Sequence, residues 1–205
     1  MVYKGRPFSR TYAVTEQFSF PGLEPAPQVD SLFFAVLPDA EAAGRLSQLR
    51  ARLAGRHRLD GSPVTADRLH VTLRLVGNYA GLPASAVEAA KLAAGTIAVA
   101  PFDIAFSHTA SFGGGAVVLR GGEGTDALIA LGNAIGVAMM KAGLKPPSAP
   151  SKTPHMTLLY DRASNVPEEP VEPLRWTARE FVLVHSRVGL TEHKALARWP
   201  LGAGG

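Results

Sequence analysis

Cysteine is absent from the 205-residue chain, which removes structural disulfides, zinc ribbons, thiol nucleophiles and cysteine-ligated clusters from consideration. Any bound metal would have to rest on histidine and carboxylate. No apolar run approaches the roughly 20 residues that cross a bilayer. The first 20 residues, interrupted by Lys4, Arg6, Arg10 and Glu16, lack the apolar stretch of about 7 to 15 residues found in a secretory signal peptide. A cytoplasmic protein without membrane contact is the expectation. Excess charge is also scarce: 21 Lys and Arg against 17 Asp and Glu leave +4. That balance suits an anionic ligand but is too small to indicate nucleic-acid binding by itself.

What is present is an ordinary globular composition, 46% hydrophobic and 19% charged, with enough apolar material for a sizeable core. At about 150 residues per domain, the length suits one domain or two small lobes sharing a core. Pro21, Gly22, Pro25 and Pro27 disfavour both helix and sheet interior, so residues 1–28 read as a flexible extension. Residues 29–201 read as the domain and 202–205 as a frayed, glycine-rich tail.

Within the domain, Leu32 to Leu37 form a short apolar run of buried-strand type, ended by Pro38. Asp39 can cap a helix whose Ala42, Leu46, Leu49 and Leu53 form one stripe, with Gly55 as its end. Leu69 to Val76 alternates apolar and polar residues up to Gly77-Asn78, as a half-buried strand does. The second half repeats the order. After a helix over 84–98 and a strand over 102–106, the segment 116–120 reads as a strand and 125–142 as a helix with Leu128, Leu131, Ile135 and Met139 on one stripe. Pro154 to Tyr160 reads as the closing strand, and 181–186 and 195–199 as further strands. The pattern predicts an α+β fold with a duplicated strand–helix–strand unit.

Each unit closes on the same pattern, His70-Val71-Thr72-Leu73 in one and His155-Met156-Thr157-Leu158 in the other. Residues two apart on a strand share a face, so His70 points with Thr72 and His155 with Thr157. If the units are related by a pseudo-twofold axis, two imidazoles and two hydroxyls converge on one groove. One imidazole can then take a proton from attacking water while the other protonates a leaving alkoxide. The hydroxyls can donate to oxygens where charge develops. Phosphodiester cleavage can run this way without metal, and no carboxylate stands beside either motif to suggest a metal site. The remaining histidines, His57, His108, His185 and His193, have no such partner and read as surface or locally bonded residues. By strand parity Arg74 falls on the face of His70 and Thr72 as a candidate phosphate ligand.

These paired motifs, together with Leu32-Phe33-Phe34-Ala35-Val36 and Phe181-Val182-Leu183, resemble the 2H phosphoesterase superfamily. The match is best to its bacterial and archaeal RNA 2',3'-cyclic phosphodiesterase branch, also named 2'-5' RNA ligase. The resemblance covers about residues 30 to 200. It implies a bilobal fold in which two antiparallel-rich sheets with flanking helices surround a central groove. It also implies hydrolysis of RNA 2',3'-cyclic phosphate ends to 2'-phosphates, and 2'-5' ligation as the reverse reaction; a monomer with no cofactor is the accompanying expectation. By the same resemblance His70 is the general acid toward the 3' oxygen, His155 is the base that activates water, and Thr72 and Thr157 hold the phosphate. Phe34, the second aromatic of the first strand, would approach the site, although core packing explains it equally. The branch commonly has a basic residue where this chain has Tyr160, which leaves Arg162, two positions on, and Lys152 as other candidate cations. A small cyclic nucleotide or ADP-ribose cyclic phosphate as substrate, or RNA-end binding without turnover, stays open on the motifs alone.

Overall fold

Strand β1 (Val29–Val36) and helix α1 (Ala40–His57) show how local signals set the first unit. Asp39 accepts a hydrogen bond from the Ala42 amide at 2.8 Å, satisfying one of the orphan donors at the helix start. Leu46, Leu49 and Leu53 are buried below it. The helix does not stop at Gly55: it continues to His57, and Arg58 adopts the left-handed cap conformation (φ 53°, ψ 47°). Gly55 is an ordinary exposed helix residue with nothing within 4 Å of where a Cβ would sit.

The computed structural model describes residues 28–149, 151–162 and 166–202. The extension expected over 1–28 lies outside the described residues except for Gln28, and residues 203–205 of the expected tail lie outside them too. The two-residue β2 (Ser62–Pro63) precedes β3 (Val71–Ala80). Strand β3 runs through the expected stop at Gly77, which pairs with Leu32 of β1 in a ladder that continues to Ala80, and Tyr79 folds over that glycine. A Cβ on Gly77 would lie 2.5 Å from the Tyr79 hydroxyl. Then follow α2 (Ala84–Ala94), β4 (Phe102–Phe112), β5 (Ala116–Arg120) and α3 (Thr125–Lys141). The chain continues through β6 (His155–Tyr160), β7 (Glu169–Ala178), β8 (Glu180–Arg187) and β9 (Glu192–Pro200).

The strands pair in the order β7-β4-β5-β6-β3-β1-β8-β9, with β2 on β6. All pairings are antiparallel. The two expected sheets are thus two four-stranded halves of one sheet, joined where β3 meets β6 at the single register pair Val71↔Met156. The repeated unit is β1-α1-β3 in one half and β5-α3-β6 in the other. Its two closing strands lie side by side at the seam. Apolar residues of all three helices pack with Leu32, Phe34, Val36, Val71, Leu119, Met156 and Phe181 into one large cluster, so the helices cover one face of the sheet. Among the described residues the opposite face carries small apolar clusters, such as that of Phe33, Ala35, Val182 and Val184, and the helices leave it open.

Candidate active site

Val71 and Met156 are fully buried in the helix-side core. Alternation along the strand therefore turns His70, Thr72, His155 and Thr157 to the open face. Continuing the antiparallel register one step either way from Val71↔Met156 sets His70 across from Thr157 and Thr72 across from His155. On that register the two His-x-Thr pairs are crossed, each histidine placed across from the threonine of the other half.

Both rings are oriented in the same way. His70 Nδ1 lies 2.7 Å from the Arg68 carbonyl and His155 Nδ1 lies 3.0 Å from the Thr153 carbonyl, in each case two residues back. A carbonyl only accepts, so Nδ1 carries the proton and donates it, and Nε2 is left as the nitrogen that can take up or give a proton. Burial is the main cause that pushes His70 below the usual histidine range. The Arg68 carbonyl opposes this shift, and the positive charges of His155 and Arg68 add to it. A charge on the His155 ring thus disfavours a proton on His70.

Strand parity alone misplaces the residues that follow each motif. In β3 the register passes from Ala35↔Thr72 to Phe34↔Arg74, so Leu73 is an extra residue. In β6 it passes from Val118↔Thr157 to Val117↔Leu159, so Leu158 is extra. The same bulge follows the threonine in both halves and reverses the face of what comes next. Arg74 is consequently not beside His70 and Thr72. It sits across from Phe34 on the helix side, where a Cβ on Gly136 of α3 would lie 3.0 Å from its Cζ. Tyr160, paired with Ala116, returns to the open face, is 51% exposed and lines the groove. Phe34 is fully buried at 0%, with its ring 6.1 Å from Phe181 and 6.0 Å from Trp199. It is a core residue and does not approach the site. Arg162 is exposed beside Tyr160 on the wall of an adjoining recess, and Lys152 is exposed in the segment before β6.

Several groove residues escaped the sequence reading. Phe33 lies 5.0 Å from the His70 ring, and Phe112 lies 4.8 Å from the His155 ring. His193 on β9 lies 5.2 Å from His70, so it is no isolated surface histidine. Burial and the charges of His70 and Arg68 lower its pKa to about 4, leaving it neutral at pH 7. Arg120 pairs in register with His155 and forms an ion pair with Glu168 at 2.5 Å. Alternation in β1 could have separated Phe33 from Phe34. Nothing local in the sequence marks His193, whose place comes from the β8–β9 pairing. A cavity of about 480 Å³ opens beside His70 and Thr157, with Phe33, Arg68, Tyr160 and His193 among its walls. Among the described residues no group of three or more His, Asp or Glu side chains could hold a metal ion.

A chain-level comparison meets this geometry. The family model of the 2'-5' RNA ligase superfamily matches residues 20–190. The chain belongs to that superfamily. Among solved structures it is similar to one described as a phosphoesterase, with 29% identity and a TM-score of 0.69 over 85% of this chain and 98% of that one. It is also similar to E. coli LigT in complex with 3'-AMP, with 27% identity and a TM-score of 0.67 over 85% and 98% of the two chains. The Thermus thermophilus protein TT0787 shares the fold at 21% identity, with a TM-score of 0.66 over 83% of this chain and 97% of that one. No curated protein matches. The architecture is the LigT-like 2H phosphoesterase fold, an α+β unit with one large antiparallel sheet and three helices. Within this member of the superfamily, the crossed His-x-Thr pairs stand at the seam between the halves, on the sheet face opposite the helices. No helix among the described residues is long and apolar enough to cross a membrane.

Proposed function

We propose that this protein hydrolyses RNA 2',3'-cyclic phosphate ends to 2'-phosphomonoesters, as a cytoplasmic monomer and without metal, with residues 29–201 as the catalytic unit. The observation that carries this reading is the crossed arrangement of two identically oriented imidazoles, each across from the other half's threonine. His155 Nε2 takes a proton from water, whose oxygen forms the new bond to phosphorus. The P–O3' bond breaks, and the proton on His70 Nε2 goes to O3'. Thr72 and Thr157 donate hydrogen bonds to the non-bridging oxygens as charge builds there.

The surroundings support this division of roles. The cavity wall includes His70 and Thr157 but neither His155 nor Thr72, so the bulky nucleoside fits on the His70 side and water reaches phosphorus from the His155 side. Burial disfavours a charged His70 in the empty groove, and the phosphodiester anion offsets this once bound. By microscopic reversibility the same groups can close a 2'-5' linkage, with hydrolysis dominant in water. E. coli LigT has been crystallised with ATP and with NADP+, which supports a small cyclic nucleotide as the second reading.

The test is an assay on RNA ending in 2',3'-cyclic phosphate with EDTA present, its product identified by phosphorus NMR. The expected product is a 2'-phosphate at a rate unaffected by EDTA. A strict need for added divalent metal overturns the mechanism, and a 3'-phosphate as sole product reverses the substrate between the two histidines.

A further inference from the structure

The cavity extends beyond the dyad to the β8–β9 hairpin, where Ser186, Val188 and Thr191 contribute to its far wall. Three aromatic rings meet on its near wall: Phe33 lies 5.0 Å from His70 and 5.7 Å from His193, and His193 lies 5.2 Å from His70. His155, in contrast, has the single ring neighbour Phe112 among the described residues. The aromatic surface is therefore concentrated at one end of the site. A neutral imidazole next to a phenyl ring offers a base a flat, weakly polar contact that does not depend on base identity.

Among the described residues, the same end carries an uncommitted cation. Of the two guanidinium groups on the cavity wall, Arg187 is paired with Glu192 at 3.0 Å. Arg68 forms no ion pair among the described residues, and its Nε is buried without a hydrogen-bond partner. A buried guanidinium donor is costly to leave unsatisfied, and its planar fork suits two phosphate oxygens at once. At about 480 Å³ the cavity falls in the range of about 300–1,000 Å³ typical of sites for ligands of nucleotide size.

We propose that Phe33, His193 and Arg68 form a subsite for the terminal nucleoside and for the phosphate on its 5' side, so that the substrate is an RNA chain end and not a free mononucleotide. This rests on the hydrolytic reading of the dyad and selects within its substrate classes. The rings hold the base next to His70, and Arg68 reads a second phosphate that a mononucleoside cyclic phosphate lacks.

Calorimetric binding to wild type, Arg68→Ala, Arg68→Lys and His193→Ala tests this with three probes: a dinucleotide ending in a 2'-phosphate, the matching nucleoside 2'-monophosphate, and inorganic phosphate. Wild type should prefer the dinucleotide to the mononucleotide by about tenfold or more. Arg68→Ala should erase most of that preference, and Arg68→Lys should keep part of it. His193→Ala should weaken both nucleotides by about tenfold relative to inorganic phosphate, a loss in the range of one base stack. On the cyclic dinucleotide, Arg68→Ala should raise KM with kcat largely retained, as loss of uniform binding does. Equal losses for dinucleotide and mononucleotide in Arg68→Ala, or an unchanged nucleotide-to-phosphate ratio in His193→Ala, would overturn the subsite. If these ratios hold while wild type turns over no cyclic phosphate, the hydrolytic reading fails and the subsite stands. If turnover is present and the ratios are absent, the reverse holds.

Discussion

Arg74 gives the sharpest test of the bulge, because parity and structure place it on opposite faces of the sheet. In the structure its guanidinium lies against Gly136 of α3, with Nε buried and lacking a hydrogen-bond partner. Desolvation lowers its pKa accordingly. Leaving a buried polar group unsatisfied costs about 1–3 kcal/mol. The rest of the side chain is only half-buried, which brings the expected figure to the lower end, about 1 kcal/mol. Arg74→Met keeps the stem that packs under α3 and removes the polar head. The expected result is stabilisation by about 1 kcal/mol, or a rise in Tm of about 2–4 °C for a chain of this size, with kcat, KM and the salt dependence of KM unchanged. Thermal melts followed by circular dichroism and steady-state kinetics on cyclic-phosphate RNA measure these quantities. A raised KM with a shallower salt slope would show that Arg74 reaches the phosphate, and the inverted-face account would then be wrong.

His70→Ala and His155→Ala should each lower kcat by about 10² to 10⁴, the usual contribution of a positioned acid or base, and the double variant should lose less than the product of the two. Near-normal turnover in either single variant would remove that residue from the reaction. A substrate whose 3' oxygen is replaced by sulfur, a better leaving group, should restore much of the rate to His70→Ala but not to His155→Ala; equal rescue of both would mean that the acid and base roles are not divided as proposed. Acidification should destabilise the fold through His193 and His70. Both have pKa values lowered by folding, so the unfolded chain binds more protons, and the stability present above the unfolded value of about 6.5 is lost as pH falls, for His193 down to about 4. His193→Gln should flatten the decline of Tm between about pH 7 and pH 4, and an identical decline in both proteins would remove His193 from it.

The alternation that exposes a strand in sequence also carries the central part of the site. Val71 and Met156 are apolar between polar neighbours because one sheet face meets the helices, and that was legible. The Asp39 cap and the stripe of α1 were legible for the same kind of local reason. Strand β7 was not, since Pro170 and Pro173 interrupt its pattern. They are tolerated because β7 is the terminal strand of the order, paired only with β4. The far part of β4 was missed because Ser107 to Ser111 looks like a loop, whereas the Ser111 hydroxyl accepts a hydrogen bond from the Val166 amide at 2.8 Å and Thr109 is fully buried. A bulge leaves no local signature in Leu73-Arg74 or Leu158-Leu159, because it is a property of the pairing and not of one strand. The two misplaced site residues have different sources: Arg74 follows from parity carried across the bulge, and Phe34 from the family resemblance, where core packing, which the structure shows, explains it equally.

The two halves repeat more than the motif. Strand, helix, strand, carbonyl-anchored imidazole, threonine and bulge recur in the same order, and such a repeat by itself would give two equivalent histidines. A single displacement at phosphorus needs inequivalent ones, with one ring protonated while the other is not. The inequivalence comes from what the repeat does not include. Strand β9 brings His193 against His70, and the cavity encloses the His70 end. At the other end Arg120 takes the register position beside His155 and is tied to Glu168. Burial keeps the proton off His70 in the empty groove and a bound phosphodiester anion favours it there, while space for a nucleoside opens on that side. In the proposed reaction the duplicated core fixes where the reacting groups stand, and the unrepeated strands determine which histidine faces the ribose and which faces water.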